Sequence, residues 1–326
     1  MTISTGGMKM YAKINELADR LTDKLVAARR DFHKYAESGW FEMRTSSLIA
    51  RRLTGMGYEV LTGPDVCLGE SRMGLPSDED LEKNYIRAKE QGADPEFLEN
   101  VKGGFTGVMG ILRCGEGPTV VLRFDIDALG VVEDVSSEHR PFREGFSSVN
   151  PGMMHACGHD GHASIGLGVA EVLMAVKDDL RGTVRIIFQP AEEGVRGAKS
   201  IVDKGHLDGV DYVLACHISG RESEEDNVSD VTAGSGGSLA TSKMDVFYYG
   251  KSAHAGSHPQ DGRNALAAAV TAVQNLLSIP RNSKSDTRVN VGTLHAGSGR
   301  NVIPEFAKME MEVRGKTSEG NIYMEQ

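Results

Sequence analysis

The chain has 326 residues, is 40% hydrophobic and 25% charged, and carries a formal net charge of −10. That length buries a sizeable core and ordinarily makes about two domains. The acidic balance argues against a nucleic-acid partner, which needs clustered Lys and Arg. The first residues lack the apolar core of a signal peptide, and no later run is apolar for the roughly eighteen residues of a membrane span, so a cytoplasmic protein without a membrane partner is expected. Cys67, Cys114, Cys157 and Cys216 follow no framework spacing and fit reduced thiols.

Between Tyr11 and His33, residues Ile14, Leu17, Ala18, Leu21, Leu25, Val26 and Ala27 recur at helical spacing and predict an amphipathic helix on a core. A second helix is expected over 44–56, stopped by Gly57. Residues 64–104 break the pattern with a Gly- and Pro-flanked block, SDEDLEKNYIRAKEQGADPEFLENV. It reads as a helical surface insertion whose charges form a solvated face, or else as a lid or subunit contact.

From Phe105 the runs GVMGILR and TVVLRFDIDAL read as strands. The second delivers Asp125 and Asp127, two residues apart and so on one face, at its carboxyl end, where open α/β sheets place ligands. Next comes His155-Ala156-Cys157-Gly158-His159-Asp160-Gly161-His162, three imidazoles and a thiol in eight positions. Imidazole and thiolate are ligands of zinc-like divalent ions, and the glycines let the backbone bend so that side chains converge. A structural site of four Cys/His ligands needs a second close pair, which the sequence does not hold, so an open catalytic site finished by carboxylates is favoured.

After a helix expected over 161–176, the run VRIIFQP leads to Ala191-Glu192-Glu193-Gly194, and DYVLA leads to Cys216-His217. Three strands ending in Asp, Glu-Glu and His describe a metallohydrolase at the carboxyl edge of a mostly parallel sheet. Adjacent glutamates leaving a strand do not both point at one ion; one ligates, and the other is free to act as general base.

The polar run Arg221–Asp226 reads as a boundary between a catalytic domain over 1–221 and a second domain over 222–326. Beyond it KMDVFYYG, a helix near 262–277, RVNVGTLHAG and AKMEMEVRG make a small α+β domain, and a further helix starts near Ser318.

The whole chain resembles the M20 family of metallopeptidases in its amidohydrolase branch. The likeness is carried in order by Arg29-Arg30-Asp31-Phe32-His33, by Arg123 to Leu129, by His155 to His162 and by Gln189 to Gly194. Gly250 to Asn264, Arg300-Asn301-Val302-Ile303-Pro304 and Glu312-Val313-Arg314 complete it. The resemblance implies an α/β fold, a mostly parallel-sheet di-metal catalytic domain with an inserted α+β lid or dimerisation domain. It implies that Cys157, His159, Glu193 and His217 bind two divalent ions, zinc or manganese, that Glu192 is the base, and that Asp127 orients a ligand. His254, from the lid of a neighbouring subunit, would stabilise the oxyanion, and Asn301 and Arg314 would hold a substrate carboxylate. The last two stand thirteen positions apart around neighbouring strands, which is expected to bring both to one edge of the lid.

The insertion around Glu70–Pro76 and the spelling Tyr35-Ala36-Glu37-Ser38-Gly39-Trp40 are similar to branch members that act on p-aminobenzoyl-glutamate, which is the implied substrate. N-acetyl- or indoleacetyl-amino acids are the alternative, and a noncatalytic metal-binding subunit is another. A homodimer, or a heterodimer with a related subunit, is implied. Chains of the family run further and supply a last histidine ligand, so the resemblance also implies a truncated product or an incomplete record.

Overall fold

The apolar stripe near the N-terminus folds as helix α1 (Thr5–Lys34), with Leu21, Ala28 and Phe32 buried. Helix α2 (Met43–Met56) stops where Gly57 takes φ 92°, a left-handed conformation that glycine adopts without steric cost. The computed structural model describes residues 5–219, 231–232, 234, 239–280 and 282–326. It divides into two compact units, Met1–Asp226 and Asn227–Gln326. The polar run Arg221–Asp226 lies outside the described residues.

Strand β1 (Glu59–Thr62) leads into the insertion, where Ser77 caps α3 (Asp78–Glu90) by accepting from the Asp80 amide and Asp94 caps the short α4 (Pro95–Leu98). The insertion is helical with a solvated charged face, and it also has a buried side. Leu81, Ala88, Leu98 and Val101 bury against Met43 of α2 as a core of their own, with Phe41 and Tyr85 packed alongside. The charges face out, and the apolar residues 81, 85 and 88 form one narrow stripe that the acidic composition hides. Leu81→Ala is expected to cost about 2–5 kcal/mol of stability, as loss of a buried leucine does. Urea denaturation checks this, and a cost near zero would return the block to the surface.

Strands β2 (Val108–Arg113) and β3 (Thr119–Asp125) follow, then α5 (Arg140–Arg143), α6 (His159–Ala175), β4 (Thr183–Gln189), α7 (Ala198–Val202) and β5 (Tyr212–Ala215). The sheet order is β1-β2-β4-β3-β5. β4, β3 and β5 are mutually parallel, and β2 is antiparallel to both β1 and β4, so four strands run one way and β2 alone is reversed. Alternation splits the strand residues between two cores. Phe124, Ile186 and Phe188 pack with Phe32, Ile49, Leu53 and Leu167 of the helices. Val121 and Ile187 pack on the other face with Trp40, Val66 and Ile201. Gly166 lets α6 lie close to the sheet, because a Cβ there would stand 2.6 Å from Phe188 and 2.9 Å from Phe124.

The second unit holds β6 (Ala240–Tyr249), α8 (Ala265–Leu277), β7 (Thr287–Ala296), β8 (Phe306–Gly315) and α9 (Ser318–Glu325). Its antiparallel sheet has the order β6-β8-β7. Met309, Met311 and Val313 of β8 are buried against Val273 and Leu276 of α8. Among the described residues no helix is long and apolar enough to cross a membrane.

Candidate active site

Because β4, β3 and β5 are parallel, their carboxyl ends share one edge, and the candidate ligands and glutamate pair collect there. β3 ends at Asp125, β4 runs into Glu192 and Glu193, and β5 runs into Cys216 and His217. Gly158 turns at φ 87° to start α6 at His159.

His159 is fully buried and held by Asp127, whose Oδ1 lies 3.3 Å from Nδ1. A proton on Nδ1 facing that carboxylate leaves the lone pair on Nε2. Nε2 is buried with no hydrogen-bond partner, as is Glu193 Oε1, 3.9 Å away. His217 is oriented in the same way, since its Nδ1 donates to the Ile218 carbonyl at 2.7 Å and its Nε2 faces Cys157 Sγ at 3.5 Å. Two overlapping sets of ligand atoms result, Cys157–His159–Glu193 and Asp125–His159–His162–His217, each with its atoms within 4.8 Å of one another. Buried atoms without partners, with lone pairs turned inward, fit a divalent cation.

Electrostatics agree. Burial, then the charge of Glu193, pushes the Cys157 thiol up to about 12. Burial, then Asp125, lifts the Glu192 carboxyl above its ordinary range. His159 is raised although burial opposes it, because Asp127 and Asp125 favour its cation. Neighbouring carboxylates contribute to all three, and a bound cation would relieve that part. Arg123 offsets part of it, with Nη1 2.8 Å from Asp125 Oδ2 and Nε donating to Gln189 at 2.9 Å.

His162 sits in the second set, yet both its nitrogens are taken. Nε2 accepts the Ile218 amide at 2.7 Å, so Nδ1 carries the proton and donates to Asp125. It fixes the strand end that carries His217 and has no lone pair left for an ion. His155 is buried with neither nitrogen bonded, and burial brings it down to about 4. Asp127 does more than orient His159, for its Oδ1 and Oδ2 accept the amides of Glu192 at 3.0 Å and Glu193 at 2.9 Å. Asp125 stands beside the ring of His159, at 3.7 Å, and one further participant, Glu42 beneath the glutamate loop, has no role that the sequence assigns. The strand-end position was a signal for Asp125, and Glu42 had none.

In the second unit His254 Nδ1 accepts from the amides of Gly256 at 3.2 Å and Ser257 at 3.1 Å. That places its proton on Nε2, free to donate. Asn301 is its neighbour: the Ala255 amide donates to the Asn301 carbonyl at 3.0 Å, and His254 bridges to Val302. The expected meeting of Asn301 with Arg314 is corrected. Asn301 precedes β8 and Arg314 stands at the far end of it, roughly 27 Å along a strand that rises about 3.4 Å per residue. One carboxylate does not reach both within a single lid, and Arg314 forks instead onto Glu312, at 2.9 and 3.2 Å.

Residues 121–314 match the model of Peptidase family M20/M25/M40. The chain belongs to this family. It is 48% identical over 312 residues to indole-3-acetyl-aspartic acid hydrolase of Enterobacter agglomerans, covering 95% of this chain and 71% of that protein. It is 46% identical over 312 residues, with the same shares covered, to one of the p-aminobenzoyl-glutamate hydrolase subunits of Escherichia coli K12. The crystal structure of an aminobenzoyl-glutamate utilization protein from Klebsiella pneumoniae superposes with a TM-score of 0.77 at 41% identity, over 95% of this chain and 71% of that one. A dinuclear metal-binding M20 peptidase from Bacillus subtilis superposes at 0.57 with 26% identity, over 95% and 67%. The chain is a hydrolase of this family, with a divalent-metal ligand cluster at the carboxyl edge of its larger sheet.

Proposed function

We propose that this hydrolase splits the amide bond of an N-aroyl or N-acyl amino acid, with p-aminobenzoyl-glutamate as substrate and p-aminobenzoate and glutamate as products. The observation that carries the chemistry is the clamped pair Glu192–Glu193 facing the free Nε2 of His159, at 4.0 and 3.9 Å. The likeness to the Escherichia coli and Klebsiella pneumoniae proteins supports the substrate. The Enterobacter relative supports indoleacetyl-aspartate as the competing choice. Both candidates join an arylated acyl group to an acidic amino acid.

Cys157, His159, Glu193 and His217 would hold two divalent ions, and the thiol favours zinc over manganese. When bound, these ions supply Lewis-acid polarisation of the scissile carbonyl. Glu192 takes the proton of the attacking water and returns it to the leaving amine. Asp127 keeps His159 and both glutamates in register. His254, supplied by the lid of a second subunit, identical or related, donates from Nε2 to the developing oxyanion. Asn301 arrives beside it, and Arg314, from the opposite end of a lid, exchanges Glu312 for the substrate carboxylate.

The test is a panel of p-aminobenzoyl-glutamate, its α-amide, indole-3-acetyl-aspartate and N-acetyl-glutamate, assayed with zinc and with manganese. Turnover of p-aminobenzoyl-glutamate above the rest is expected. No metal-dependent turnover of any member would favour a noncatalytic role in a larger assembly. In the same panel, Arg314→Ala should reduce the preference for the free acid over its α-amide by at least about tenfold, or about 1.4 kcal/mol. An unchanged preference removes Arg314 from the site.

A further inference from the structure

Among the buried acids that the mechanism above does not use is Glu42. Glu42 precedes α2, is completely buried and reaches the end of β4, where its Oε1 accepts the amide of Ala191 at 2.8 Å. The next two amides, of Glu192 and Glu193, go to Asp127. Three consecutive backbone donors thus end on two buried carboxylates, and the residues so held are the glutamate pair and the residue before it.

This segment needs holding. Ala191 has φ 47° and Val195 has φ 59°, left-handed conformations that cost a non-glycine residue of order 1 kcal/mol or more. Glu42 is itself anchored, because its Oε2 bonds to the Thr106 hydroxyl at 2.7 Å and the Thr106 carbonyl accepts from Ser46 at 2.5 Å. On the far side there is no slack: a Cβ on Gly39 would stand 3.0 Å from the Ala191 Cβ and 2.3 Å from Arg196.

We propose that Glu42 is a positioning residue for the catalytic glutamates, which sets the loop 191–193 by the reach of its side chain and not by its charge. Toward other residues its oxygens accept the Ala191 amide and the Thr106 hydroxyl; glutamine keeps the first through Oε1 and reverses the second, its Nε2 donating to Thr106 Oγ1 as the O–H of a protonated acid also can. Burial, then the neighbouring charge of Asp127, pushes the Glu42 carboxyl up to about 8, so its neutral form is the one the fold favours. Aspartate keeps the acid but draws the acceptor back by one methylene.

The proposal rests on Glu192 being the base, and it has a readout that does not. Trp40 is the only tryptophan in the chain and packs in the same buried cluster as Ala191. Its emission wavelength and its quenching by acrylamide therefore report on the loop with or without turnover. Wild type, Glu42→Gln and Glu42→Asp are compared as folded, full-length chains for kcat, KM, cobalt(II) content and Trp40 emission.

Glu42→Gln should match wild type in all four. Glu42→Asp should lose at least about tenfold in kcat with KM nearly unchanged, since misplacement of a reacting group by about 1 Å costs up to about a hundredfold. Its Trp40 should also become more accessible. Equal activity and emission in the two variants, or Asp outperforming Gln, overturns the proposal. So does failure of both to fold, which would make Glu42 a stability residue. A wild-type chain inactive on every amide would defeat the functional reading while leaving Glu42 to be judged on Trp40.

Discussion

Glu192→Gln is expected to keep its metal and lose at least about a hundredfold in kcat, the low end for removal of a general base. Glu193→Gln should lose metal instead. Distance to His159 does not separate the two, since both carboxylates stand about equally far from Nε2. Their surroundings do. Glu193 shares a tight set of ligand atoms with Cys157 and His159, and its Oε1 is buried without a partner. Glu192 belongs to neither set, and its side chain is 35% exposed against 23% for Glu193, as a group that must meet water and substrate requires. Because Asp127 holds both amides, neither substitution should move the loop. Elemental analysis beside steady-state kinetics decides the matter. Metal lost from the Glu192 variant and kept by the Glu193 variant would exchange their roles.

His254→Ala should reduce kcat by about a hundredfold to a thousandfold, the range for loss of one oxyanion donor. The ring is set for that work, with Nδ1 occupied by two backbone amides and the proton therefore on Nε2. If the donor comes from a second copy, inactive His254→Ala and Glu192→Gln chains should complement each other. In a randomly mixed dimer population about half the dimers are mixed and each has one intact site, which predicts about a quarter of wild-type activity. Mixed oligomers verified by differential tags but showing no recovery would mean that each lid serves its own chain. Substitution of Gly256 by proline removes one amide that fixes the tautomer, and it should lower kcat in the same direction but less.

The chemistry of the site was legible in the residues because metal chemistry uses few side chains at close spacing. Cys157 and His159 are two apart, Glu192 and Glu193 are adjacent, and apolar strands of β type point to their carboxyl ends as the place where such groups meet. Helix limits were legible for an equally local reason. Gly57 stops α2, Asn264 caps α8 and Thr317 caps α9 through contacts within a few residues.

What only the tertiary structure decided depends on partners distant in the chain. His162 has the type and spacing of a ligand, but Asp125 and the Ile218 amide, from two different strand ends, occupy both nitrogens. The insertion has the composition of a solvated surface, yet three or four apolar side chains in an acidic block suffice to make a core once α2 lies against them. Asn301 precedes β8 and Arg314 stands near its far end, so the length of the strand holds apart two residues that their spacing in sequence would bring together. Glu42 had no signal at all. A lone acid before a helix becomes a clamp only when the end of β4, some 150 residues later, is folded onto it, because hydrogen-bond partners are set by distance in space and leave no period in the sequence.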